Sequence, residues 1–170
     1  NKSDLDGLSN DIISAASEAA SQKMNKVESE TEKEKYKDKY VFTPHRSSMY
    51  PFLTESTRRD LREILYKSYI MRGDNNNETD NKKINAQIAK LRAERAKIMG
   101  YKTHAHFILE ENMLKTPDEV YELLIQLWEP ALERAKAEVA DMQMVADNEG
   151  QNFKIAAWDW WQYSEKVRKE

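Results

Sequence analysis

Histidine is the side chain to examine first for metal or acid–base chemistry, and this chain has three, His45, His104 and His106. His104 and His106 form the pair "HAH", and the flanking sequence indicates a helix. On a helix, side chains two positions apart diverge by about 200°, so both imidazoles reach one ion only from an extended backbone. We therefore interpret the pair as partly exposed polar side chains and predict no metal ligand there.

The carboxylates offer no better candidate for catalysis. Glu110 and Glu111 are adjacent on a predicted helix, so their side chains diverge and fit solubility better than acid–base work. The sequence has no HExxH, no G-x-S-x-G, no phosphate-binding glycine loop and no D-x-D-x-D-G calcium loop. We predict that this chain contains no catalytic residue, no metal-binding residue and no cofactor site, and the sequence identifies no substrate-binding residue.

Large aromatic residues cluster near the end of the chain, in "AAWDWWQYSEKVRKE". Trp158, Trp160, Trp161 and Tyr163 need extensive partner surface, and core anchors are a commoner use of such rings than a ligand box. If their partner is a segment outside this chain, the rings should form an exposed apolar patch and the chain should associate with itself. The competing expectation is that they fold back on the helix predicted at 116–150.

Composition limits the class of protein. At 170 residues, 39% of them hydrophobic and 34% charged, the chain is long enough for one ordinary core. Its 27 basic and 30 acidic residues are interspersed and give a net charge of -3, so neither a nucleic-acid partner nor a polybasic membrane patch is expected. The absence of cysteine excludes disulfides and thiolate zinc sites. No apolar run approaches the roughly 18 residues of a membrane span.

The pattern of apolar residues predicts an all-α fold, an irregular array of about five to six helices. We expect one helical segment over 1–170: a helix and charged linker at 1–39, a strand and loop at 40–55, and a helical body at 56–170. Tyr40, Val41 and Phe42 have strand propensity, and Pro44 and Pro51 favour extended backbone after them.

Helix ends carry their own signals. Ser9 can cap the first helix, Thr57 with Asp60 and Thr116 with Glu119 fit capping boxes, and Asp159 can cap the last helix. Gly73 and Gly100 fit helix ends, and helical spacing of Ile84, Ile88 and Leu91 places a helix between them. The longest helix should run from Thr116 towards Gly150, with a kink where Pro130 removes a backbone donor. The remaining short helix should begin near Thr103.

Four stretches taken in order suggest a family: "LREILYKSYIMRG", "LRAERAKIMGYKTHAHFILEENMLKTPDEV", "LWEPALERAKAEV" and "WDWWQYSEKVRK". Together they resemble the thimet-oligopeptidase-like zinc metallopeptidases, most closely the bacterial peptidyl-dipeptidase (dipeptidyl carboxypeptidase) branch. The upstream "LDGLS" and "YVFTPHRSSMYPFL" fit the same pattern, so the resemblance covers nearly the whole chain.

This resemblance implies that the chain is an internal piece of a much longer enzyme, a largely helical ellipsoid with a deep channel and zinc at its floor. The family holds zinc through HExxH and a later glutamate, all downstream of the "WDW" region, so none of those residues has a counterpart here. The implied role of this piece is channel wall and support, and its implied partners are the C-terminal catalytic half and, for the parent enzyme, short peptides.

Three matters stay open at the level of sequence. The resemblance favours a cytoplasmic location, with a periplasmic or exported parent as the alternative. An independent helical module that binds a partner helix, through the 116–150 stripe and the tryptophan cluster, is the alternative function. Removal of C-terminal dipeptides and internal cleavage are not distinguished.

Overall fold

The structure is a computed structural model that describes residues 2–169. Its α-helices are α1 (Asn10–Asn25), α2 (Glu30–Lys33), α3 (Arg46–Glu55), α4 (Arg59–Ile70), α5 (Lys82–Ile98), α6 (His104–Leu109), α7 (Pro117–Asn148) and α8 (Trp160–Lys169). Short 3₁₀ turns lie at Lys2–Leu5 and Ala157–Asp159. The all-α prediction is confirmed, and α2 and α3 are additional to the six helices that the sequence indicated.

The strand predicted at Tyr40–Phe42 is wrong. These residues have no regular secondary structure, and within 2–169 there is no strand at all. The Val41 N–H donates instead to the carbonyl of Ala16 in α1, at 3.0 Å. Strand propensity forms a sheet only where a second strand supplies the ladder, and the described chain has none to pair with.

The loop predicted up to residue 55 is also wrong, because α3 forms with Pro51 in its interior. A proline inside a helix costs about 3 kcal/mol. Met49, Phe52 and Leu53 on the same helix are at most 3% exposed, and burying such a side chain contributes about 1.5–3 kcal/mol each. Burial on one face of α3 therefore outweighs the lost backbone hydrogen bond.

The predicted caps gave mixed results. Thr116 and Glu119 form the expected capping box: the Glu119 N–H donates to Thr116 Oγ1 at 3.3 Å, and the Thr116 N–H donates to Glu119 Oε2 at 3.2 Å. Ser9 precedes α1 as predicted, but its side chain makes no capping bond. The Thr57 cap is wrong, since its hydroxyl donates to the Asp6 carbonyl and Arg58 precedes α4. The kink at Pro130 stays a prediction, and α7 continues through that residue.

The chain falls into two compact units, residues 2–71 with 138–169 and residues 72–137. The first unit has two apolar clusters. One is built on α3 and α4 from Met49, Phe52, Leu53 and Leu65. The other joins the end of α7 to α8, where Tyr163 packs on Met142, Val145 and Ala146.

The second unit consists of α5, α6, the N-terminal part of α7 and their connections. Among its described residues Ala96 is the one buried side chain. The connection before α5 is closed by polar contacts: the Asn81 N–H donates to the Gly73 carbonyl at 2.7 Å, and the Lys82 ammonium bonds Asp74 and Asp80 at 2.6 and 2.8 Å. Gly73 has a φ of 73°, which a residue with a side chain rarely adopts.

Across residues 2–169, we found no helix with both the length and the apolar character that crossing a membrane requires.

Candidate functional site

The most extensively bonded polar cluster of the first unit is centred on Asp159, within the "WDWW" stretch. Its carboxylate is fully buried and lies between two guanidinium groups of α4. Arg62 Nη2 donates to Oδ1 at 2.7 Å, and Arg59 Nη2 donates to Oδ2 at 2.9 Å. The backbone N–H of Ala156 is a further donor, to Oδ2 at 3.0 Å. Both carboxylate oxygens are thereby engaged, so Asp159 joins the 3₁₀ turn to α4.

Arg62 connects this carboxylate to the end of α3. Its side chain is 1% exposed, and Nη1 donates to the Ser56 carbonyl at 2.8 Å while Nε donates to the Trp158 carbonyl at 3.3 Å. Gln162 of α8 donates to the same Ser56 carbonyl at 2.8 Å. A buried arginine is tolerated only when its donors are satisfied, and this one bonds three acceptor groups on two separate segments.

Arg59 forms the outer side of the cluster. Its side chain is about one-third exposed, and its guanidinium lies over the Phe153 ring at 4.1 Å and near the Trp158 ring at 5.5 Å. A guanidinium is attracted to the face of an aromatic ring, and its planar shape lets it stack there. The arrangement fixes the segment before α8 against α4.

The aromatic residues of the tail pack within the first unit. Trp161 stacks on Tyr50 with ring centroids 5.5 Å apart, and Trp158 lies 6.4 Å from Tyr66. Trp160 packs against the cluster that contains Tyr163. The expected exposed tryptophan patch is therefore wrong. The competing expectation, that the rings fold back on the long helix, holds for Tyr163 and Trp160, which pack at the end of α7. Trp161 and Trp158 instead contact α3 and α4, which the sequence did not indicate.

Chemically, the Asp159 cluster is suited to holding a fold together. Each oxygen of the carboxylate already accepts hydrogen bonds from a guanidinium, and the carboxylate is closed off from solvent. A general base must reach the proton that it removes, and this group has no accessible side from which to do so. Asp159 therefore does not cap α8 through its side chain as predicted, but bonds Ala156 and the two arginines.

The histidines lie where their side chains have separate partners. His104 and His106 are the first and third residues of α6. His106 Nδ1 lies 2.8 Å from Thr103 Oγ1, and His104 Nδ1 lies 3.4 Å from Arg95 Nη2. Burial and then the charge of Arg95 lower the pKa of His104, which favours a neutral imidazole. His45 belongs to the other unit and contacts Thr43.

The expectation that this chain holds no metal ligand stays a prediction. Within residues 2–169 no three His, Asp or Glu side chains come together as a group that could hold a metal ion. Glu110, one of the adjacent carboxylates, instead accepts a hydrogen bond from the Tyr101 hydroxyl, which raises the pKa of Tyr101. We assign no step of a metal-dependent reaction to these residues, and the expectation of no catalytic residue in this chain stays a prediction.

The sequence analysis did not predict that Arg59, Arg62 and Ser56 take part in this cluster. A signal was present: Arg62 stands three residues before Leu65 and seven before Tyr69, so it lies on the apolar face of α4. A charged residue on an apolar face requires a buried partner of opposite sign. Asp159, an acid among tryptophans, was the available candidate.

The comparison with known protein families now adds to this geometry. The model of Peptidase family M3 matches residues 52–170, which include α4, all of the second unit, the aspartate cluster and the aromatic tail. The chain belongs to peptidase family M3. The resemblance proposed from the four sequence stretches is confirmed.

Curated relatives match almost the whole of this M3 chain. Over 98% of this chain, the sequence is 28% identical to the dipeptidyl carboxypeptidase of Escherichia coli. Over 99% of this chain, it is 30% identical to oligopeptidase A of Haemophilus influenzae. The probable cytosolic oligopeptidase A of Arabidopsis thaliana is 28% identical over 99%. These matches cover 23%, 24% and 23% of the relatives, so the chain spans about a quarter of their length.

Proposed function

We propose that this chain is a helical, non-catalytic portion of a zinc-dependent peptidyl-dipeptidase or oligopeptidase that hydrolyses short peptides. The observation that carries the proposal is the family match over 52–170, in relatives about four times longer. Catalysis is assigned to a part of the parent enzyme outside this chain, because HExxH is absent from the sequence. Zinc would be the cofactor of the parent enzyme alone.

The role that we propose for the chain is wall and support of a substrate channel. The Asp159 cluster supports this role, since it joins the segment before α8 to α3 and α4 through buried charged hydrogen bonds. Such a rigid attachment would hold neighbouring parts of the enzyme in place and help restrict the channel to short, unfolded peptides. Its partners would be the catalytic half of the parent and, for the parent, peptide substrates.

Metal analysis tests this function directly. After dialysis, the isolated chain should retain no stoichiometric zinc and should not hydrolyse short peptides. The product of the complete reading frame should retain zinc and should hydrolyse short peptides. The variants His104→Ala and His106→Ala serve as controls on the isolated chain. One tightly held equivalent of zinc that is lost in either variant would contradict the proposal.

The relatives' names also bear on location and mode of action. One relative is named a probable cytosolic enzyme, which supports a cytoplasmic location for the parent, with a periplasmic or exported one as the alternative. Both dipeptidyl carboxypeptidase and oligopeptidase A occur among the relatives' names. We therefore propose for the parent enzyme only what these names share, the hydrolysis of peptides.

A second candidate function is an independent helical interaction module. The observation in its favour is the exposed apolar surface of α7, where Leu127 is 58% and Trp128 is 64% exposed. The tryptophan cluster would not take part, because its rings pack inside the first unit. Retention of partner binding by the isolated chain, with no change when the rest of the reading frame is added, would favour the module.

A further inference from the structure

One stretch of α7 has an apolar surface that is too wide for a single packed helix to cover. Six large apolar residues occur within eight positions, and all are exposed: Tyr121, Leu123, Leu124, Ile125, Leu127 and Trp128. At about 100° per residue they cover an arc of roughly 200°. An ordinary surface helix has an apolar stripe of about 100°. The polar residues Glu122, Gln126 and Glu129 share the remaining side.

We propose that residues 121–128 are enclosed from two sides by further helices of a longer polypeptide. This inference rests on the proposed function, because it requires that the chain be one portion of such a polypeptide. A two-fold contact with a second copy buries one patch of each helix and would leave about half of the apolar arc in water. A membrane surface is not the occupant that the helix fits, since the polar side of this stretch carries Glu122 and Glu129 in place of the lysines and arginines typical of helices that lie on a membrane.

The length of the relatives supports this occupant. The Escherichia coli and Haemophilus influenzae relatives align with 98% and 99% of this chain, which is only 23% and 24% of their own length. About three quarters of each relative therefore lies outside the matched region, enough for several helices around residues 121–128.

The surface beside this stretch is shaped to receive side chains. A hollow of about 430 Å³ lies within the second unit, lined by Ile108 and Leu109 of α6 and by Val120, Tyr121 and Leu124. His104, with its lowered pKa, lines the same hollow. The lining is mainly apolar, so it fits apolar side chains from a helix that packs across α6 and α7.

The exposure of Trp128 provides the test. Iodide quenching is measured on the product of the complete reading frame and on the 170-residue chain, each with and without Trp128→Phe, so that subtraction isolates Trp128 from the other three tryptophans of this chain. We expect quenching of Trp128 to be at least threefold weaker in the complete product. Leu127→Lys should restore at least twofold stronger quenching there, while Gln126→Lys, the matched lysine on the polar side, should not.

Each outcome decides a separate point. Equal quenching of Trp128 in the two proteins would overturn the inference, and so would a dimer of the complete product that Leu127→Lys dissolves. A complete product that holds zinc and hydrolyses peptides while Trp128 stays open to iodide would overturn this inference but not the proposed function. A reading frame that ends at Glu170 would overturn both. The unmodified protein and Trp128→Phe decide the main point even if Leu127→Lys fails to fold.

Discussion

The two units of this chain are both helical, yet they differ in what their helices bury. In residues 2–71 with 138–169, Leu53 is fully buried, Arg62 is 1% exposed and Tyr163 is 2% exposed. In residues 72–137, the helices α5 and α7 leave large apolar side chains in solvent, among them Ile84, Leu91 and Leu127. An amphipathic pattern is thus present in both units, but among the described residues the clusters of buried apolar side chains lie in the first unit.

This difference shows that the apolar periodicity of a helix predicts a face and not the neighbour that covers it. The second unit is held by local polar contacts, such as the Thr116 capping box and the Lys82 ion pairs. A helix cap contributes about 0.5–2 kcal/mol. Solvent-exposed ion pairs such as those of Lys82 contribute little. We therefore expect substitutions to have large effects in the first unit and small ones in the second.

The largest effect is expected from Asp159→Asn, which leaves Arg62 buried without a counter-charge. Breaking a buried ion pair from one side costs about 3–5 kcal/mol. Urea unfolding followed by tryptophan fluorescence measures this cost, because three of the four tryptophans lie around the cluster. Asp141→Asn, at an exposed position of α7, is the matched control and should change the free energy of unfolding by less than about 0.5 kcal/mol. A loss below about 1 kcal/mol for Asp159→Asn would show that the cluster does not hold α8.

The same leucine-to-alanine change should separate the two units. Leu53→Ala removes a fully buried side chain from α3 and should cost about 2–5 kcal/mol. Leu127→Ala removes an exposed side chain from α7 and should change the isolated chain by less than about 0.5 kcal/mol. Comparable losses in the two variants, measured by urea unfolding, would mean that residues 72–137 are enclosed even in the isolated chain.

High pH should weaken the first unit through Tyr163. Burial, followed by the charge of Glu149, raises the pKa of Tyr163 to about 12, above the value of about 10 for an unfolded chain. A group with a raised folded pKa contributes its stability fully below pH 10 and loses it as the pH rises towards 12. Urea midpoints between pH 8 and 11 should fall less steeply for Tyr163→Phe than for the unmodified chain. Parallel curves would rule out this source of the pH dependence.

A small effect, confined to one helix end, is expected from Thr116→Ala in the second unit. Loss of the capping box should cost about 0.5–2 kcal/mol locally, at the N-terminus of α7. Hydrogen exchange should quicken at the amides of residues 119–121, while the amides of α3 and α8 stay unchanged. Thr116→Ser keeps the capping oxygen and should exchange as the unmodified chain does. Faster exchange in α3 would show that the two units unfold together.

Much of the local structure could be predicted from the sequence because its causes are local. Periodic apolar residues, glycine after a helix and the Thr116–Glu119 pair act within a few positions of each other, and α1, α4, α5, α6, α7 and α8 formed where these signals occur. The ordered motifs around "WDWW" were specific enough to indicate the family, which the match over 52–170 shows. Helical type and family membership were therefore determined by the sequence itself.

Tertiary packing decided the rest, because it depends on residues far apart in the chain. Tyr40–Phe42 have strand propensity but no partner strand, and Pro51 enters a helix because Met49, Phe52 and Leu53 are buried beside it. Asp159 is about 100 positions from Arg59 and 97 from Arg62, so no local pattern could pair them. The partial burial of the C-terminal tryptophans also depends on long-range contacts, since the residues around them belong to α3, α4 and the end of α7. Long-range burial and charge pairing are properties of the folded chain, and they overrode local preference wherever the two disagreed.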